Sequence, residues 1–126
     1  YNLFDMTDAA LKGDASTSLK MLRGLRGEGT EAAVALWALL REIRTLHQAR
    51  TAVDAGQSPQ QALGALRVWK NRMGLMQGAL GRHSLDSLNA LLDKAAAVDG
   101  SIKGFADGKP WDNLEDLVLS LSRAAA

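Results

Sequence analysis

Thr30-Glu31-Ala32-Ala33-Val34-Ala35-Leu36-Trp37-Ala38-Leu39-Leu40-Arg41-Glu42-Ile43-Arg44-Thr45-Leu46-His47 runs for eighteen residues without a glycine or a proline. Alanine and leucine, the best helix formers among apolar residues, supply nearly half of it. On a helical wheel at about 100° per residue, Leu36, Leu39, Leu40, Ile43 and Leu46 share an arc of roughly 120°, with Arg41 and Gln48 opposite. An apolar stripe of that width, backed by charge, is the signature of a helix that packs on other helices. Thr30 suits its N-cap, and the pattern extends to about Ala55. Trp37 falls roughly 120° from the centre of the aliphatic arc, beside Arg41 and Arg44, and so lies off the main core face.

The flanking segments carry the same kind of stripe. Upstream, a short helix is expected to open at Asp5 and close at Gly13. A second covers Ala15 to Arg26 on the rail Leu19, Leu22, Leu25 and is broken by Gly27-Glu28-Gly29. Downstream, Gly56-Gln57-Ser58-Pro59 forms a turn, with Ser58 as cap and Pro59 at the first helical position. A short helix follows, then another to about Arg82 in which Leu66, Trp69, Met73, Met76 and Leu80 stand at near-heptad spacing. Ser84 caps a helix to about Phe105 on the stripe Leu85, Leu88, Leu91, Leu92, Ala95, Val98, Ile102. After the turn Asp107-Gly108-Lys109-Pro110, a last helix buries Leu114, Leu117, Val118 and Leu121. Asp112, Glu115 and Asp116 sit in its early turns, where the helix dipole favours acids. The fold class is therefore all-α: a single-domain bundle of about six amphipathic helices of unequal length, with no fixed repeat.

A chain of 126 residues can bury one core, and scarce aromatics and absent β-branched runs argue against a sheet. The net charge is +1, but residues 41–83 hold seven basic and two acidic side chains, while residues 1–40 and 84–126 carry −1 and −3. A central basic patch forms if the fold gathers that excess. Without cysteine there is neither a disulfide nor a thiolate metal site, and no apolar run nears the roughly 18 residues of a membrane span. A cytoplasmic protein without membrane contact is expected. The chain begins at Tyr1, without a methionine and directly with apolar residues, which suggests a piece of a longer protein.

Chemistry-bearing motifs are few. Arg23-Gly24-Leu25-Arg26-Gly27-Glu28-Gly29 is rich in glycine, but it lacks the Gly-Lys-Ser/Thr ending and preceding strand of a phosphate loop. His47 and His83 sit on different helices, with no further ligands grouped beside them. No serine lies in a nucleophile elbow, and no acid pair stands out for proton transfer. The expectation is a domain that is no enzyme and needs no cofactor. Arg67-Val68-Trp69-Lys70-Asn71-Arg72 is the one place where cations bracket an aromatic, a combination that stacks a nucleic-acid base while neutralising phosphates. Trp69 also falls where the Leu66/Met73/Met76/Leu80 stripe wants an apolar residue, so core packing and an outward role both remain open.

Several of these segments, in order, resemble the delta subunits of bacterial replicative clamp loaders. Leu25-Arg26-Gly27-Glu28-Gly29-Thr30-Glu31 is similar to that family's "LRxEGxE" stretch, and the long helix reaches its "LxRE" pattern at Leu39-Leu40-Arg41-Glu42. Arg67 to Arg72 resembles "RVWxNR", and Trp111-Asp112-Asn113-Leu114-Glu115 resembles "WxxLE". Phe4-Asp5-Met6-Thr7-Asp8-Ala9-Ala10-Leu11 resembles the entry into the family's third domain. The resemblance implies that residues 1–126 are the C-terminal helical collar domain of a bacterial delta subunit, preceded by two AAA+-like domains that do not hydrolyse ATP. Such a domain closes a ring with sister domains of the gamma/tau and delta prime subunits, and so supports sliding-clamp loading on primed DNA. Single-stranded template leaving near delta would meet Arg67, Trp69, Lys70 and Arg72. Phe105, one residue out of step with an aromatic position of the family, would join them. For the subunit interface, Trp37, Arg41, Arg44 and Leu119 are the expected residues. A competing expectation is a stand-alone helical nucleic-acid-binding module that uses the basic segment 41–83.

Overall fold

Residues 1–123 are described by the computed structural model, and they form seven α-helices. These are α1 (Leu3–Leu11), α2 (Ala15–Gly27), α3 (Ala32–Asp54), α4 (Pro59–Ala65), α5 (Met73–Arg82), α6 (Leu85–Ile102) and α7 (Pro110–Ser122). A 3-10 turn (Lys70–Arg72) leads into α5. The architecture is the expected all-α bundle, with one helix more than the six anticipated.

Capping residues set most of the boundaries. Ser58 and Gln61 form a reciprocal capping box around Pro59, and Ser84 accepts the Ser87 N–H at 3.1 Å. Two expected caps differ. Asn2, not Asp5, opens α1, its Oδ1 accepting from Phe4 N at 2.7 Å and Asp5 N at 3.4 Å, which leaves Asp5 in the dipole-favoured first turn. Glu31, not Thr30, stands at the N-cap of α3 and makes no side-chain cap bond. The Thr30 N–H instead donates to Leu25 O at 3.0 Å and closes the end of α2.

α3 is the axis of the bundle and packs against α1, α4, α5, α6 and α7. Leu39, Ile43 and Leu46 are wholly buried on it, in one core cluster with Met6, Leu63, Met76 and Leu88, also wholly buried. The predicted arc is thus the core stripe, and Trp37 lies off it, 54 % exposed. Glu42 is also buried on this helix, at 5 % exposure.

The largest departure from the sequence expectation lies between α4 and α5. No helix carries the Leu66–Leu80 stripe continuously. α4 closes with Arg67 N donating to Gly64 O (3.0 Å) and Val68 N to Leu63 O (3.2 Å), and Arg67 takes φ +62°. That closure usually belongs to glycine, because a Cβ disfavours the left-handed conformation. Trp69 then follows in extended conformation, out of phase with Met73, Met76 and Leu80. At the far end, α6 stops at Ile102 and not at Phe105. Gly104 (φ +79°) turns the chain, with Phe105 N bonded to Gly100 O at 2.8 Å.

Candidate interaction face

Trp69 is 74 % exposed, because the left-handed turn at Arg67 swings it out of the helical register that would have buried it. Its place in the core stripe is therefore a correction: Met76 and Leu80 are buried without it. The indole borders two adjoining clefts, which share Arg41, Glu42, Trp69 and Arg72. One, of about 240 Å³, continues over Leu66, Arg67, Val68 and Met76. The other, of about 320 Å³, is completed by Phe4 and Asp8 from α1.

The four residues of the basic cluster are not equivalent. Arg72 is held by the protein itself, with Nη2 donating to Asp8 Oδ1 at 2.9 Å and Nη1 to Glu42 Oε1 at 3.3 Å. It ties α1 to α3, and both carboxylates that line the second cleft are committed to it. Arg67 and Lys70 are exposed and carry no ion pair among the described residues. Other cations of the central segment are also internal. Arg50 donates to Leu80 O at 3.2 Å and Arg82 to Leu11 O, each satisfying a carbonyl near a helix end. The +5 excess is thus only partly a surface property.

Trp37 and Arg41, expected at a different interface, lie on this same face. The Arg41 guanidinium is 5.4 Å from the Trp37 ring centre and 5.8 Å from that of Phe4, and the two rings meet edge-on at 6.4 Å. Phe4, 47 % exposed, was not singled out as a site residue by sequence, where no cation lies beside it. Glu42 was missed as well, because on the wheel it falls about 40° beyond Leu46, outside the aliphatic arc. The remaining expected residues lie elsewhere. Arg44 is exposed over a separate groove between α3 and α6, lined also by Leu40 and Leu92. Phe105 is 87 % exposed on the α6–α7 turn and borders neither Trp69 cleft. Leu119 is half-buried on α7.

The two histidines serve the scaffold. His83 is 3 % exposed, with Nε2 at 2.8 Å from Leu121 O and Nδ1 at 2.7 Å from Ser87 Oγ, so that it links α5, α6 and α7. Burial pulls its pKa below the ordinary histidine value. His47 Nε2 meets Asn89 Oδ1 at 2.8 Å across α3 and α6. Among the described residues, no three His, Asp or Glu side chains gather as a metal site, and no helix is long and apolar enough to cross a membrane.

Comparison with known proteins places these observations in a family. The model described as "DNA polymerase III delta subunit, C-terminal domain" matches residues 1–110. The chain is 33% identical to the DNA polymerase III subunit delta of Escherichia coli (strain K12), over 96% of this chain and 35% of that protein. It is 26% identical to the subunit of the same name from Haemophilus influenzae (strain ATCC 51907 / DSM 11121 / KW20 / Rd), over 96% of this chain and 38% of that protein. It therefore spans little more than a third of the length of these curated relatives.

Proposed function

Because the chain belongs to the family of C-terminal domains of the DNA polymerase III delta subunit, we propose that it is the non-catalytic oligomerisation domain that holds delta in the clamp loader. In this proposal residues 1–126 form the collar domain of a longer chain, and their neighbours are the collar domains of gamma/tau and delta prime. The observation that carries it, beyond family membership, is Trp37, 54 % exposed off the core arc and beside Arg41, outside both clefts that Trp69 borders. A monomer gains nothing from presenting that indole to water, and a tryptophan paired with arginine is what subunit contacts favour. The absence of a phosphate-loop sequence fits a structural role that supports clamp loading on primed DNA in the bacterial cytoplasm.

The test is reconstitution of full-length delta with gamma/tau and delta prime. Trp37→Ala should lower co-elution of the loader while leaving the thermal melt of delta nearly unchanged. If Trp37→Ala unfolds the domain but its remaining folded fraction assembles normally, the tryptophan is a packing residue and this assignment of the interface is wrong.

A second role is favoured by one observation, the 74 % exposure of Trp69 between Arg67 and Lys70. In this role they meet single-stranded template, with Arg72 bracing them. Phe105 would contribute from its own turn. The competing stand-alone nucleic-acid module is less favoured, because Arg50, Arg72 and Arg82 are used inside the fold.

A further inference from the structure

Phe4 opens α1 beside Leu3, whose side chain packs on the core, while the Phe4 ring stays 47 % exposed and looks onto the cleft that Trp69 borders. That cleft is lined by Phe4, Asp8, Arg41, Glu42, Trp69 and Arg72, with no aliphatic side chain among them. A groove that receives an amphipathic protein helix is floored by leucine-like residues, as the α3–α6 groove is. Two rings with charge between them suit a flat, polar-edged ring instead.

The charge balance points the same way. Asp8 and Glu42 are both bound to Arg72, so neither opposes Arg41. Arg41 makes no ion pair among the described residues, and its guanidinium is held in place over Phe4 and Trp37. The cleft is therefore bordered by two exposed rings and by Arg41, a cation that sits over Phe4 and makes no ion pair among the described residues. Arg67, the one described non-glycine residue with a left-handed backbone, sets Trp69 at its rim, and strain of that kind collects at functional sites.

We propose that the cleft between Phe4 and Trp69 is a base-binding slot for single-stranded nucleic acid, with Phe4 as its second stacking surface and Arg41 as its phosphate-facing cation. The inference rests on the single-strand role proposed above for Trp69 and extends it to α1 and α3. Duplex bases are stacked on each other and cannot enter such a slot. Unpaired bases can, whatever their sequence, because each has a π-face.

The experiment uses the assembled clamp loader and a primed template with a single-stranded oligo-dT overhang, followed by fluorescence anisotropy over a salt series. Phe4→Ala and Phe4→Leu should each weaken binding about five-fold or more, the lower end of what one stacked base contributes. Phe4→Trp should bind within about two-fold of the parent, since it keeps a stacking ring. Arg41→Gln should flatten the salt slope by about 0.7, the share of one phosphate on a single strand. If Trp69→Ala weakens binding while both Phe4 truncations leave it unchanged, the slot is overturned and the role of Trp69 stands. If neither position matters in loaders that assemble normally, both fall. If the Phe4 truncations block assembly while the loader that does form binds DNA normally, this face is a protein contact and the slot is overturned.

Discussion

Replacing Arg72 with methionine removes a guanidinium while keeping an unbranched apolar stem of similar length. The Glu42 side chain, 7 % exposed, then loses its one ion-pair partner among the described residues, now 3.3 Å away. Removing one partner of a buried ion pair costs about 3–5 kcal/mol, because the remaining charge is left without compensation. Arg72 is itself 29 % exposed, so water screens part of that loss. The second pair, to a 36 % exposed Asp8, belongs to the surface regime and adds at most about 1 kcal/mol. The expected cost of Arg72→Met is therefore about 2–3 kcal/mol, or a fall in Tm of roughly 10 °C for a domain of this size. A double-mutant cycle with Glu42→Met, read by urea denaturation, isolates the pair; the coupling should exceed about 1 kcal/mol. The rival role for Arg72 is that of a free phosphate-binding cation. A change below about 0.5 kcal/mol, or an equal cost with and without Glu42, would support that rival and refute the bracing role.

Three further outcomes follow from the same geometry. Burial holds the His83 pKa below the 6.5 of an exposed histidine, so the unfolded chain binds more protons there and stability falls as pH drops through 6.5 and below. His83→Gln should flatten that part of the stability–pH curve, and an unchanged slope would show that the imidazole is not its source. Leu46→Ala, at a wholly buried site at the centre of the bundle, should cost about 2–5 kcal/mol in chemical denaturation. Ser58→Ala removes the hydroxyl that accepts the Gln61 N–H at 3.1 Å, and the melt should show a loss of about 1 kcal/mol.

Much of this architecture was legible in the chain because one physical rule, helical periodicity, governs most of it. The arc from Leu36 to Leu46, the caps at Ser58 and Ser84 and the stripes of α6 and α7 all follow from local pattern. What escaped was set by closure and by long-range pairing. A periodicity count carries Trp69 straight through the Leu66–Leu80 stripe. It cannot foresee that Arg67, a non-glycine residue, takes the left-handed position that ends α4. The cluster of cations around Trp69 was likewise visible, yet the division of labour within it was not. Asp8 is 64 residues from Arg72 and Glu42 is 30, so only the folded chain reveals that Arg72 is occupied. Phe4 stood just outside the first predicted helix, and its meeting with Trp37 at 6.4 Å depends on how α1 crosses α3.

The separation of charge along the chain has a kinetic consequence. Helices α6 and α7 belong to the acidic third and contribute no residue to either cleft beside Trp69, where Arg41 and Arg67 stand unopposed. A molecule of net charge +1 arranged in this way is an electric dipole more than a cation. An approaching polyanion exerts a torque on it before it exerts much net attraction, turning the basic side forward. Association is limited by orientation as much as by distance, and such pre-alignment shortens the rotational search. It also fades within a Debye length, about 8 Å at physiological salt, so the alignment acts only in the last approach.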